Sequence, residues 1–377
     1  MIYLDHNATT PVLPEVFEAM RPYFCEEWGN PSSSYRFGSK LKTVIETARE
    51  QVAGLIGSRA GEIVFTGNAT EANNTALNAA LKANPTKRHI VTSQVEHSSV
   101  LNFCKALEMD GYRVTYLPVD RDGLLKLADL ESAITDDAAV VSLMWANNET
   151  GVLFPVEEIA RVCKARGVLF HCDAVQAAGK LPMDVSSVPV DYLSLTGHKL
   201  GAPKGIGALF VHRKAPFTPY LHGGHQERGR RGGTENVALI VGFGKASEIA
   251  KDNNADFDRI VRPLRDELEM GILSGIPDGE VNGQRAPRLA NTCNITFAGV
   301  DSDALLMLLD QEGICASSGS ACLADSPESS HVIAAMKPET RGSRHSLRLS
   351  LGMANNPETI KDALEIIKAS VTGLRTL

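Results

Sequence analysis

The chain has 377 residues, 43% of them apolar and 22% charged, with a net charge of −7. It is longer than one ordinary domain of roughly 150 residues and too apolar for a disordered chain. It is too acidic for nucleic acid or an anionic membrane to be its main partner.

No signal peptide is expected, because the first ten residues lack a basic region followed by an apolar one. The most apolar stretch, 138–146, is far shorter than a membrane span of ~20 residues. Seven cysteines, at 25, 104, 163, 172, 293, 315 and 322, form an odd set with no Cys-x-x-Cys pair. That argues against a zinc knuckle or a thioredoxin motif and for reduced thiols in a cytoplasmic protein.

Strands are predicted over 62–66, 89–93, 114–117, 139–145, 168–172, 192–195 and 206–211, and helices over 70–83, 99–110, 127–133 and 156–165. Short β-branched runs alternating with helices imply βαβ units and a mostly parallel sheet. From about Asp256 the texture changes. A charged amphipathic helix over 257–274 precedes a strand over 291–297, a helix over 302–310, a strand over 346–351 and a final helix over 357–372. That pattern predicts a smaller α+β domain.

In an open parallel sheet, ligands bind where strands end and helices begin. After the first predicted strand, Thr66-Gly67-Asn68-Ala69-Thr70 turns straight into a helix, which makes either a plain N-cap or a phosphate cradle. His97 follows the next strand, as a capping residue or as a ring-stacking proton carrier. Asn147-Asn148 leaves the strand over 139–145, as turn chemistry or as an amide donor. Asp173 leaves a buried strand and needs a partner, either a helix N-terminus or a cationic ring nitrogen. Lys199, in Thr196-Gly197-His198-Lys199, is a surface charge or a Schiff-base lysine. Each alone favours the plain reading. Together, each at a strand exit, they are the parts required to hold pyridoxal phosphate.

The motifs Thr-Gly-His-Lys (196–199), Asp-Ala-Val-Gln (173–176), Arg-Gly-Gly-Thr-Glu-Asn (231–236) and Ser-Ser-Gly-Ser-Ala-Cys (317–322) extend that reading. With Tyr-Leu-Asp-His-Asn-Ala-Thr-Thr-Pro (3–11) and Leu-Arg-Leu-Ser-Leu-Gly (347–352), they span nearly the whole chain. The sequence resembles the class V aminotransferase family of fold-type I pyridoxal phosphate enzymes, and within it the cysteine desulfurases of the NifS/IscS kind. The stretch 321–326 is more similar to the NifS, nitrogen-fixation type.

The resemblance implies an α/β fold: a large domain with a mostly parallel seven-stranded sheet sandwiched by helices, plus a smaller α+β domain. Residues 14–256 would form the large domain, and 1–13 with 257–377 the small one, carrying a cysteine loop. Lys199 would hold the cofactor covalently, Asp173 would pair with its ring nitrogen, and Gln176 and Asn148 would lie near its phenolic oxygen. His97 would stack on the ring and move protons, while Ala69, Thr70, Thr196 and His198 would grip the phosphate. Thr234 matches a phosphate contact made by the neighbouring subunit, which implies a homodimer with shared active sites. Arg348 and Asn30 would bind the substrate carboxylate.

Cys322 lies in a long segment of small and polar residues and would take sulfur from L-cysteine as a persulfide, releasing L-alanine. An iron–sulfur scaffold protein would accept the sulfur. No metal ligand set is expected, although Cys322 is the residue that would touch a nascent iron–sulfur cluster. The other six cysteines read as core or surface residues. The alternatives are a selenocysteine lyase or cysteine-sulfinate-type lyase on the same scaffold, a non-catalytic sulfur relay, and an ordinary aminotransferase.

Overall fold

The structure, a computed structural model, describes residues 1–319, 330–340 and 345–376. Twelve strands among them fall into three sheets. β1 (Ile2–Tyr3) opens the chain. The large sheet takes β2 (Ile63–Thr66), β3 (His89–Ser93), β4 (Arg113–Leu117), β5 (Ala138–Met144), β6 (Leu169–Asp173), β7 (Tyr192–Thr196) and β8 (Gly207–Val211). Its order is β2-β8-β7-β6-β5-β3-β4. β7, β6, β5, β3 and β4 pair in parallel, whereas β8 runs antiparallel to both β7 and β2. A mostly parallel sheet of seven strands is therefore present, with each strand within a residue or so of its predicted span.

Alternation along these strands sends successive side chains to opposite faces. Ile63, Phe65, Val141, Leu143, Phe170, Cys172, Leu193 and Leu195 join one core, under the helices Leu41–Leu55 and Val156–Arg166. Val64, Ile90, Val140, Tyr192 and Leu209 join a second, under Ala69–Ala83 and Ser98–Met109. Burial on both faces is why the strands read as continuous apolar runs.

A third core lies beyond this sheet. β9 (Gly279–Val281), β10 (Thr292–Phe297) and β12 (Ser346–Ser350) form an antiparallel sheet, and β11 (Ile314–Cys315) pairs in parallel with β1. Leu4 shares this core with Ile295, Leu347, Leu349, Ile360 and Ile367, so the N-terminal strand is built into the C-terminal sheet region.

The helix predicted over 257–274 begins far earlier. It runs over 39 residues, Val237–Gly275, through Pro263. Its first part (Ile240, Phe243, Ala246) belongs to the first core and its second part (Leu264, Leu268, Ile272) to the third. Gly242 and Gly244 obscure the early half in the sequence, because glycine is a poor helix former. Packing overrides that propensity: a Cβ on Gly244 would stand 2.7 Å from Ala48 Cα, so the glycine permits close approach to Leu41–Leu55.

Candidate active site

Register brings the strand exits together. Thr66, Gly207 and Thr196 lie in one row across β2, β8 and β7, and Met144 pairs with Asp173 across β5 and β6. Beyond this edge lies a cavity of about 370 Å³ lined by Asn7, Asn68, Ala69, Thr70, His97, Asn148, Asp173, Gln176, Thr196, His198, Lys199, His331 and Arg348, among others. Nine of the predicted cofactor residues thus line one cavity.

One end is an anion cradle. Asn68 caps Ala69–Ala83, its Oδ1 accepting from Glu71 N at 2.9 Å, which leaves the first turn's other amides beside Ala69 and Thr70. A Cβ on Gly207 would lie 2.7 Å from the Asn68 carbonyl carbon, so only glycine lets this turn close onto the sheet. Thr196 and His198 line the same cavity from the end of β7. His198 Nδ1 meets Thr9 Oγ1 at 3.2 Å, and burial, with Lys199 and Lys204 nearby, lowers its pKa to about 4.

Asp173 is almost fully buried. Its Oδ2 accepts from Asn73 Nδ2 at 2.8 Å and its Oδ1 from Val175 N at 3.0 Å. Asn73 was not foreseen. Its amide also donates to Ser99 Oγ at 2.8 Å, and Ser99 Oγ meets His97 Nδ1 at 2.8 Å. Asp173 and His97 are therefore joined through Asn73 and Ser99. His97 is indeed a helix cap, its Nδ1 accepting from Ser99 N at 3.1 Å, and it faces the cavity as well. An accepting Nδ1 places the ring proton on Nε2. Burial lowers the His97 pKa, against the opposing pull of Asp173.

Lys199 ends the short turn Gly197–Lys199, and its Nζ donates to the carbonyls of Asn7 and Ala8. The N-terminal segment is therefore part of the site. Gln176 Nε2 also donates to Asn7 O, at 3.0 Å, and Asn7 Nδ2 donates to Thr292 Oγ1 at 2.9 Å, linking the cavity to β10.

Arg348, buried on β12, donates to Asp5 Oδ1 at 2.7 Å, Asn148 O at 3.1 Å and Gly319 O at 2.6 Å, while among the described residues its Nε has no partner. Asn30 is not beside it. Asn30 is exposed, its Oδ1 accepting from Ser32 N at 2.9 Å, and it does not line the cavity. Thr234 is likewise exposed and outside the cavity of its own chain. Cys322 lies outside the described residues.

His331 and Glu96 escaped the sequence reading. His331 lines the cavity, its Nε2 3.0 Å from Glu96 O. Glu96 is fully buried, with Oε1 accepting from Ser93 Oγ at 2.7 Å and Met144 N at 3.1 Å, and Oε2 without a partner among the described residues. Burial, with Asp173 adding, raises its pKa from 4.5 to about 8. The folded protein thus keeps Glu96 protonated over a range in which the unfolded chain ionises it. Its contribution is complete below the unfolded pKa and is lost as pH rises through the folded one. Glu96→Gln is expected to flatten the urea-stability profile between about pH 5 and about pH 8, and to raise stability at the upper end by on the order of 1–2 kcal/mol. A native slope that survives in E96Q would show that another group sets it.

The donor set fits pyridoxal phosphate. An anion cradle, an amine, a fixed carboxylate and a face-covering imidazole surround one cavity of about 370 Å³. Among the described residues no cluster suited to a metal ion occurs, and no helix is long and apolar enough to cross a membrane.

Comparison with known proteins agrees. Residues 2–362 match the model of the family Aminotransferase class-V. The chain is 51% identical over 377 residues to Cysteine desulfurase 2 of Trichormus variabilis, covering all of this chain and 94% of that protein. It is 47% identical to Cysteine desulfurase NifS of Azotobacter vinelandii, with the same coverage. Among solved structures, a NifS-like protein superimposes with a TM-score of 0.92 at 36% identity, over 99% of this chain and 100% of that one. The fold, the cofactor cavity and these full-length matches lead to one conclusion: the chain belongs to the class-V aminotransferase family, on its cysteine desulfurase branch.

Proposed function

We propose that the protein converts L-cysteine to L-alanine and passes the sulfur through Cys322 to an iron–sulfur scaffold protein. One observation carries this reading: Lys199, Asp173, His97 and Arg348, far apart in sequence, line a single cavity. The names of the relatives favour cysteine over selenocysteine as substrate. The four cysteines deepest in the fold (Cys104, Cys163, Cys172 and Cys293) have thiols whose pKa burial pushes up, so they are poor sulfur acceptors.

Ala69, Thr70, Thr196 and His198 would hold the phosphate of pyridoxal phosphate, Asp173 its ring nitrogen, Lys199 its aldehyde carbon, and Gln176 and Asn148 its phenolic oxygen. When bound, the cofactor supplies an electron sink for negative charge at the carbon bearing the substrate amine. Arg348 orients the substrate carboxylate through its guanidinium fork, exchanging contacts with Asp5. Lys199 removes and returns the proton at the substrate Cα. His97 covers one face of the site, and its neutral imidazole accepts the substrate thiol proton. The Cys322 thiolate attacks the substrate sulfur. The C–S bond breaks, an S–S bond forms, and the β-carbon gains a proton to give alanine.

We also propose a homodimer. Phe17, Phe24, Trp28 and Tyr35 are all exposed, which is costly for large aromatics in a lone subunit. Thr234, outside its own cavity, would complete the phosphate site of the partner. The loop bearing it is anchored by a buried ion pair, Arg49 to Glu227 at 2.6 and 2.8 Å, which holds Glu227 and Arg228 in left-handed backbone (φ 48° and 60°). Residues 14–256 would act as one domain and 1–13 with 257–377 as the other, supported by Leu4 lying in the C-terminal core. The unpaired described cysteines suit a cytoplasmic setting.

The test is spectroscopic and chemical. Protein loaded with pyridoxal phosphate is expected to absorb as a protein-bound chromophore, to change its spectrum on addition of L-cysteine, and to release alanine. A loaded protein that leaves cysteine untouched would remove the assignment.

A further inference from the structure

Lys180 is buried, and the mechanism gives it no task. Its Nζ donates to Gln176 Oε1 at 2.8 Å and to Asn7 Oδ1 at 3.1 Å. Neither acceptor is charged. A buried cation without a counter-ion is costly, and an apolar residue of similar length would fill the space with no such penalty. Burial, together with the charges of Lys199 and Arg348, lowers its pKa to about 7. The other titratable group facing it is His6, whose own pKa is lowered to about 4. Lys180 does not line the cavity, but both of its partners do.

In its protonated form Lys180 can only donate, so it dictates which end of an amide faces it. With Gln176 Oε1 turned to Lys180, the amide nitrogen must point the other way. One of its hydrogens goes to Asn7 O at 3.0 Å, and the second remains to be given. Asn7 is fixed by the same logic. Its Oδ1 accepts from Lys180 and from Asn291 Nδ2 at 3.0 Å, which orients Nδ2 toward Thr292 and leaves the Asn7 carbonyl for Lys199 and Gln176.

We propose that Lys180 is a positioning residue for the cofactor: it locks the Gln176 amide so that its N–H group, not its carbonyl, meets the phenolic oxygen of pyridoxal phosphate. This rests on the reading that the cavity holds that cofactor. A donor at the phenolic oxygen favours its ionised form, so losing the donor raises the pH at which the bound chromophore titrates.

The experiment loads pyridoxal phosphate into native protein, K180M, Q176A and the double variant, and follows absorbance against pH. K180M is expected to raise the midpoint by roughly one pH unit. Q176A is expected to do the same, and the double variant to go no further than Q176A. K180Q, shorter and able to accept as well as donate, holds the Gln176 amide less strictly and is expected to give a smaller shift in the same direction; it carries the test if K180M does not fold. Unchanged midpoints in the variants would overturn the proposal. So would a K180M shift as large in the Q176A background as in the native one, because Lys180 would then act independently of Gln176. If native protein forms no chromophore, the cofactor reading fails instead, which separates the two.

Discussion

Lys199→Ala is expected to lower alanine formation by about 10²–10⁴-fold, the range for loss of a positioned proton carrier, and to abolish covalent attachment of the cofactor. Lys199 extends from a turn fixed at both ends: Gly197 N donates to Ile206 O at 3.0 Å, and Leu200 N donates to Gly197 O at 2.9 Å. Its Nζ lies against the Asn7 and Ala8 carbonyls, in a cavity shared with Asp173 and His97. Borohydride reduction of the loaded native protein, followed by peptide mass spectrometry, should place a cofactor-sized adduct on Lys199 and leave none in the variant. Lys180 is the internal control, because it is buried nearby but lines no part of the cavity. An adduct on Lys180, or an undiminished one in K199A, would contradict the assignment.

Cys322→Ser is expected to leave the chromophore intact and to reduce alanine formation by more than about a hundredfold, as loss of a nucleophile does. Cys322 lies outside the described residues, so its assignment rests on the sequence and on what the fold does with the other thiols. Four are buried and held protonated. Cys25 is exposed, and Cys315 lies on β11, paired with β1. Cys25→Ser and Cys315→Ser should therefore retain native turnover. If C322S turned over cysteine at the native rate, the nucleophile would be elsewhere.

The large sheet was legible because its strands are buried on both faces, so apolar runs such as 139–145 and 192–195 stand out from the polar turns that follow them. The strand exits were legible for the same reason: a parallel sheet gathers its carboxyl ends at one edge, and Asp173, His97 and Lys199 met there as expected. What could not be read was long-range. Asn7 reaches Thr292, and Asn73 bridges Asp173 to Ser99. Nothing local to an asparagine announces such partners. The early half of Val237–Gly275 was hidden by Gly242 and Gly244, whose value is close packing rather than propensity. Arg348 was expected to bind the substrate carboxylate, and in this structure its guanidinium meets Asp5, so on the proposed reading substrate binding is an exchange of partners.

The most direct measurement is mass spectrometry of native, cofactor-loaded protein after a short exposure to L-cysteine without an acceptor. The account predicts one added sulfur atom on the peptide containing Cys322, with alanine released in equal amount. Alanine without sulfur on Cys322, or the sulfur on any other cysteine, would contradict it.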